Sequence, residues 1–126
     1  MNIAKDLKIL LVDDSDFSRS MIKKMLTEEG FNVIAEARDA FEAQEMIKEH
    51  FPDVMITDIV MPKMSGIELT SRISKSHPDI SVIVISSLSQ EHIVLDAIGA
   101  GASDFIAKPI QKQQLIESLQ KVAAER

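Results

Sequence analysis

Cysteine is absent from this chain of 126 residues. That excludes disulfides and thiolate metal sites and suits a reducing compartment, so the cytoplasm is the expected location. Long apolar runs are missing as well. None approaches the ~20 residues a membrane span needs, and the segment from Met1 to Lys8 has no apolar signal core, so neither insertion nor export is expected. A basic surplus is lacking too: the formal net charge is −6, and no window gathers Lys or Arg with interleaved aromatics. Bulk electrostatics therefore disfavours nucleic acid and anionic membrane as partners. What is there is ordinary globular composition, 45% hydrophobic and 27% charged, which argues against disorder. The length suits one domain, residues 1–126, with a core sufficient to fold alone.

The apolar residues fall into alternating blocks. Ile9-Leu10-Leu11-Val12, Val54-Met55-Ile56-Thr57 and Val82-Ile83-Val84-Ile85 are continuous runs, as expected of strands covered on both faces. The segments 31–36 and 105–107 are more polar or shorter and suit edge strands. Between them lie helical stripes: Phe17, Met21, Ile22, Met25 and Leu26; Phe41, Met46 and Ile47; Ile67, Leu69 and Ile73; Ile93, Val94, Ala97 and Ile98; and Leu115, Ile116, Leu119 and Val122. Gly30, Pro52, the His77-Pro78-Asp79 break and Gly99-Ala100-Gly101 supply the stops. The pattern is (βα) five times over, an α/β fold with a doubly wound, five-stranded parallel sheet of flavodoxin-like type. Three buried strands and two edges fit the order 2-1-3-4-5.

In that order the direction of winding reverses between strands one and three, and a crevice opens at their carboxyl ends. Asp13 and Asp14 end the first strand there, Asp58 ends the third, and strands four and five bring Ser86 and Lys108 to the same rim. Carboxylates so gathered repel one another unless a cation compensates, and all-oxygen ligation fits Mg²⁺. A phosphoryl group would be held by the metal, the Lys108 ammonium and the Ser86 hydroxyl, with Asp58 as nucleophile. Taken singly, each residue has a plainer reading. Asp13, Asp14 and Asp16 favour a helix amino end, Ser86 suits a turn, and Lys108 suits solvent. Five such residues on one rim favour the joint reading.

Leu10-Leu11-Val12-Asp13-Asp14-Ser15, Asp58 followed by Met61-Pro62 and Ser65-Gly66, Ser86-Ser87, and the run from Gly101 to Pro109 together resemble the response-regulator receiver family over nearly the whole chain. The resemblance implies that Asp58 is the phosphoacceptor and that Asp13, Asp14, Asp58 and the Val60 backbone carbonyl hold Mg²⁺. It further implies that Ser86 is the switch hydroxyl, Phe105 the switch aromatic, Lys108 the contact to the phosphoryl group, and Lys108-Pro109 a cis bond. Its implied partners are a sensor histidine kinase and a downstream target read on the fourth helix, fifth strand and fifth helix. Ile85-Ser86-Ser87-Leu88-Ser89, Ala97-Ile98-Gly99-Ala100-Gly101 and Asp104-Phe105 are similar to chemotaxis receivers, stand-alone or fused to a methylesterase, whose target would include the flagellar motor switch. A receiver excised from a larger regulator would read the same.

Two positions depart from some relatives. Val60, two residues after Asp58, and Leu88, two after Ser86, carry no side-chain hydrogen-bonding group to orient an attacking water, so slow autodephosphorylation and a separate phosphatase are expected. A flavodoxin-type FMN module shares the sheet order, but Asp13-Asp14 would repel a bare phosphate. A haloacid-dehalogenase-type phosphatase would carry a second Asp where Val60 stands, and an unphosphorylated scaffold would not need the acidic set. His50, His77 and His92 have no metal-ligand spacing and are expected on the surface or in loops, and the seven Met residues are expected mainly to fill the core.

Overall fold

The computed structural model describes residues 3–126. A 3₁₀ turn at Ile3–Asp6 precedes five alternating strands and helices: β1 (Lys8–Val12), α1 (Asp16–Glu28), β2 (Asn32–Ala37), α2 (Ala40–His50), β3 (Val54–Asp58), α3 (Gly66–Ser76), β4 (Ser81–Ser86), α4 (Glu91–Gly99), β5 (Asp104–Ala107) and α5 (Lys112–Glu125). All strand pairs are parallel, in the order β2-β1-β3-β4-β5, so the predicted fold and its two edges are observed. No helix among the described residues is long and apolar enough to cross a membrane.

Successive residues of a strand face opposite sides of the sheet, and here both sides are apolar. Ile9 and Leu11, Ile56, and Ile83 and Ile85 pack with Ile22 and Leu26 of α1 and Leu115, Leu119 and Val122 of α5. Leu10 and Val12, Met55, and Val82 and Val84 pack on the other face with Ala40, Ala43 and Ile47 of α2, Leu69 and Ile73 of α3 and Ala97 of α4. The sheet is thus the middle of three layers. Full burial of each large aliphatic side chain contributes roughly 1.5–3 kcal/mol.

The helix starts are set by short polar side chains. Ser15, Asp39 and Ser65 cap α1, α2 and α3 by accepting the N–H groups of Ser18, Glu42 and Glu68. Gly30, with φ of 83°, supports the turn after α1, whereas α2 closes on Phe51 in the left-handed region just before Pro52.

The predicted helical stripes were too wide. In α1 the buried pair is Ile22 and Leu26, one turn apart, while Phe17 is 76% exposed and Met21 is also exposed. In α2 the seam is Ala40, Ala43 and Ile47, so the short alanines let the helix lie close to the sheet. Phe41, rotated by about 100° from Ala40, points away and is exposed. In α4 only Ala97 is buried; Leu95 and Ile98 are exposed, and Ile93 and Val94 are half-buried. Of the methionines, Met55 and Met64 are core, Met25, Met46 and Met61 are half-buried, Met21 is exposed, and Met1 lies outside the described residues. His50 and His92 are exposed and His77 is half-buried at the end of α3.

Candidate functional site

The strand register brings distant carboxylates together. Val12 of β1 lies beside Thr57 of β3, so the next residue on each chain, Asp13 and Asp58, leaves the sheet at the same edge. One carboxylate oxygen from each of Asp13, Asp14 and Asp58 lies within 4.8 Å of the others. Asp13 is buried, Asp58 half-buried and Asp14 exposed, which grades the cluster from protein interior to solvent.

Each inner carboxylate is fixed by backbone. Asp13 accepts the Ser15 N–H on Oδ1 at 2.9 Å, and Asp58 accepts the Ile59 N–H on Oδ1 at 2.7 Å. Lys108 reaches in from the end of β5. Its Nζ donates to Asp58 Oδ2 at 3.0 Å and to Ser18 Oγ at 3.3 Å, and stands 3.6 Å from Asp13 Oδ2. Burial works against the ammonium, but the hydrogen bond to Asp58 and the attraction of Asp58 and Asp13 outweigh it and raise the Lys108 pKa above the ordinary lysine value. It is therefore a permanent cation at neutral pH. Its backbone is held as well: the Lys108 N–H donates to the Ser86 carbonyl at 2.9 Å, and the Lys108-Pro109 bond is cis.

Ser86 closes β4 one residue past Ile85, the register partner of Asp58. It is completely buried, and its Oγ accepts the Leu88 N–H at 2.9 Å. Phe105, one strand over, is half-buried against the layer that contains Leu69, Val84 and Ala97. Val60 is exposed in the loop after Asp58, and Leu88 is half-buried. The cluster proper thus unites Asp13, Asp14, Asp58 and Lys108, with Ser86 behind the rim and Phe105 farther along the sheet.

Three carboxylates facing one ammonium leave a formal surplus of two negative charges. Their donors are hard oxygens, one from a buried side chain, and no buried side-chain polar atom among the described residues is without a hydrogen-bond partner. The set suits a small divalent cation such as Mg²⁺, which takes oxygen ligands and retains waters.

Four contributors were not anticipated from sequence. Ser18 accepts from Lys108. Arg19 donates Nη1 to the Asp13 carbonyl at 2.7 Å, and Thr57 Oγ1 donates to the Asp58 carbonyl at 2.9 Å. Gly66 passes so close to the Asp58 backbone that a Cβ there would stand 2.8 Å from the Asp58 carbonyl carbon, while its N–H donates to the Ile59 carbonyl at 2.8 Å. The Ser65-Gly66 pair after the strand was a visible signal for the last of these; polar residues on the first turn of α1 were the only hint of Ser18 and Arg19.

A family model described as response regulator receiver domain matches residues 9–120. The chemotaxis protein CheY of Thermotoga maritima is 43% identical over 116 residues, covering 92% of this chain and 97% of that protein. CheY of Bacillus subtilis is 44% identical over 114 residues, covering 90% and 95%. Among solved structures, the CheX-CheY complex with BeF3 and Mg²⁺ from Borrelia burgdorferi contains a chain 37% identical to this one, with a TM-score of 0.88 over 92% of this chain and 88% of that one.

Proposed function

The chain belongs to the response regulator receiver family of two-component signalling, with chemotaxis proteins among its relatives, and from that premise we propose that it accepts a phosphoryl group on Asp58. The observation that carries the reading is the Asp58 carboxylate held between the Asp13-Asp14 pair and the Lys108 ammonium at the edge of the sheet.

An Asp58 carboxylate oxygen attacks the phosphorus of a phosphorylated histidine on the sensor kinase. The new O–P bond forms as the N–P bond breaks, and the electron pair leaves with the imidazole nitrogen. The backbone N–H of Ile59 orients the carboxylate, and Lys108 exchanges part of its bond to Asp58 for one to a phosphoryl oxygen. Asp13, Asp14, Asp58 and the Val60 carbonyl would hold Mg²⁺, which supplies charge neutralisation for the incoming phosphoryl group. That the related Borrelia complex contains Mg²⁺ supports magnesium as the ion.

Phosphorylation of Asp58 then attracts the Ser86 hydroxyl away from the Leu88 N–H, and Phe105 rotates into the space released. Phe105 has no hydroxyl, so the rotation buries no polar group. The surface altered is α4, β5 and α5, where Leu95 and Ile98 are already exposed for a target such as a flagellar motor switch protein. The protein acts in the cytoplasm as a signalling partner, with no substrate turnover of its own beyond its phosphoryl group. Wild-type protein incubated with acetyl phosphate should gain the mass of one phosphoryl group, on the peptide containing Asp58, only when Mg²⁺ is present. No gain in any condition overturns the reading.

Val60 and Leu88 offer no side-chain group to align a water on the acyl phosphate, which supports slow self-hydrolysis and a separate phosphatase, with a partner of the CheX kind as the candidate. A Val60→Asn, Leu88→Glu double variant should lose its phosphoryl group about tenfold faster, less than the roughly 100-fold lower range of general acid–base catalysis because these groups orient the water without taking its proton. Decay followed by intact mass after donor removal checks this, and an unchanged rate counts against it.

A further inference from the structure

We infer that Arg19 is a positioning residue for the Mg²⁺ site, holding the Asp13 backbone so that the acidic cluster is preformed. The inference rests on the reading of that cluster as a magnesium site. The guanidinium joins three segments. Nη1 donates to the Asp13 carbonyl at 2.7 Å, Nε to Glu36 Oε1 of β2 at 3.0 Å, and Nη2 to Asp16 Oδ1 on the first turn of α1 at 2.6 Å. A planar guanidinium spreads its donors over three nitrogens fixed in direction and so reaches acceptors on three separate segments, whereas an ammonium offers its three donors from a single atom.

The consequence falls on Asp13. Its N–H donates to the Ala37 carbonyl at 3.1 Å, its Oδ1 accepts from Ser15, and its carbonyl is taken by Arg19, so the backbone is held on both sides of the side chain that would ligate the metal. Asp13 is 2% exposed, so loss of Arg19 would leave that carbonyl with little access to water. Glu36 is the counter-ion that keeps Arg19 in place: it accepts from Arg19 and from Lys23 at 3.0 Å, with Lys23 on the outer, exposed side.

Positioning and charge predict opposite signs. Arg19 is a cation near a cation site, so neutralising it should strengthen Mg²⁺ binding if charge alone matters. If it positions Asp13, neutralising it weakens binding, by the 10- to 100-fold typical of residues that orient metal ligands.

The test is calorimetric titration of Mg²⁺ into the whole chain, as wild type, Arg19→Gln, Arg19→Lys and Lys23→Gln, well below the melting temperature of each. Arg19→Gln should weaken Mg²⁺ binding by about tenfold or more. Arg19→Lys, which keeps the charge but not the fork, should shift in the same direction by less, and Lys23→Gln should match wild type. Phosphoryl uptake by the Arg19 variants should recover at saturating Mg²⁺. Affinity that is unchanged or tighter in Arg19→Gln overturns the inference, even if the melting temperature falls; should that variant not fold, Arg19→Lys decides by the same criterion. Wild type that does not bind Mg²⁺ overturns the magnesium reading itself, a different failure.

Discussion

Asp58→Asn should take up no phosphoryl group from acetyl phosphate at any Mg²⁺ concentration, while remaining folded. The carboxamide is nearly the same shape, and its oxygen can still accept the Ile59 N–H, so the end of β3 keeps its local hydrogen bond. What disappears is the anionic oxygen that attacks phosphorus, for which a neutral amide is no substitute. Stability is set by two opposed changes. Lys108 loses its 3.0 Å partner, but it retains Ser18 and the more distant Asp13, and the mutual repulsion of three carboxylates is relieved. The net change should be small, within about 1 kcal/mol or a few degrees of melting temperature. Mg²⁺ should also stabilise the variant less than wild type, for which a hundredfold excess over Kd is worth about 2.7 kcal/mol. Intact mass and thermal melts with and without Mg²⁺ check each part; persistent phosphoryl uptake by the variant would mean that another residue is the acceptor.

Gly66→Ala should be the most damaging single methyl group that can be added near the site. An alanine Cβ would overlap the Asp58 carbonyl oxygen and stand 2.8 Å from its carbon and 3.0 Å from the Ile59 Cα. All three are backbone atoms, so no side chain can rotate away. The Gly66 N–H is also pinned to the Ile59 carbonyl, and Ser65 caps α3 immediately before it, so the loop cannot shift without breaking one of these. Overpacking costs about 1–3 kcal/mol where neighbours can yield. Here the loss should reach about 3 kcal/mol or more, roughly a 10 °C fall in melting temperature. Because the displaced atoms belong to Asp58 and Ile59, phosphoryl uptake should slow beyond what instability explains. A melting temperature within about 2 °C of wild type would contradict the steric account.

The difference between these two positions shows what was legible in the sequence. Asp58, Asp13 and Asp14 were readable because an apolar run fixes where a strand ends, and the order of a parallel sheet fixes which ends meet. Lys108 and Ser86 followed by the same logic. Phe17 and Phe41 were misplaced because an apolar stripe gives only the width of a helix face, and its rotation against the sheet depends on which small residues allow close approach. In α2 those are Ala40 and Ala43. Arg19 and Ser18 were invisible because their partners, Glu36 and Lys108, lie 17 and 90 residues away, and only the docking of α1 onto the rim brings them within reach.

The thin seating of α4 has a thermodynamic consequence. In this nine-residue helix only Ala97 is fully buried, with Ile93 half-buried against the same layer, so it is anchored to the sheet by less apolar area than α5, which buries Leu115, Leu119 and Val122. In the proposed switch, the helix that must readjust is therefore held in a shallow energy well, and a modest difference in affinity between the two arrangements is enough to redistribute them. Small forces generated at Asp58 can then be amplified at a distance, because resistance is lowest where the message is delivered.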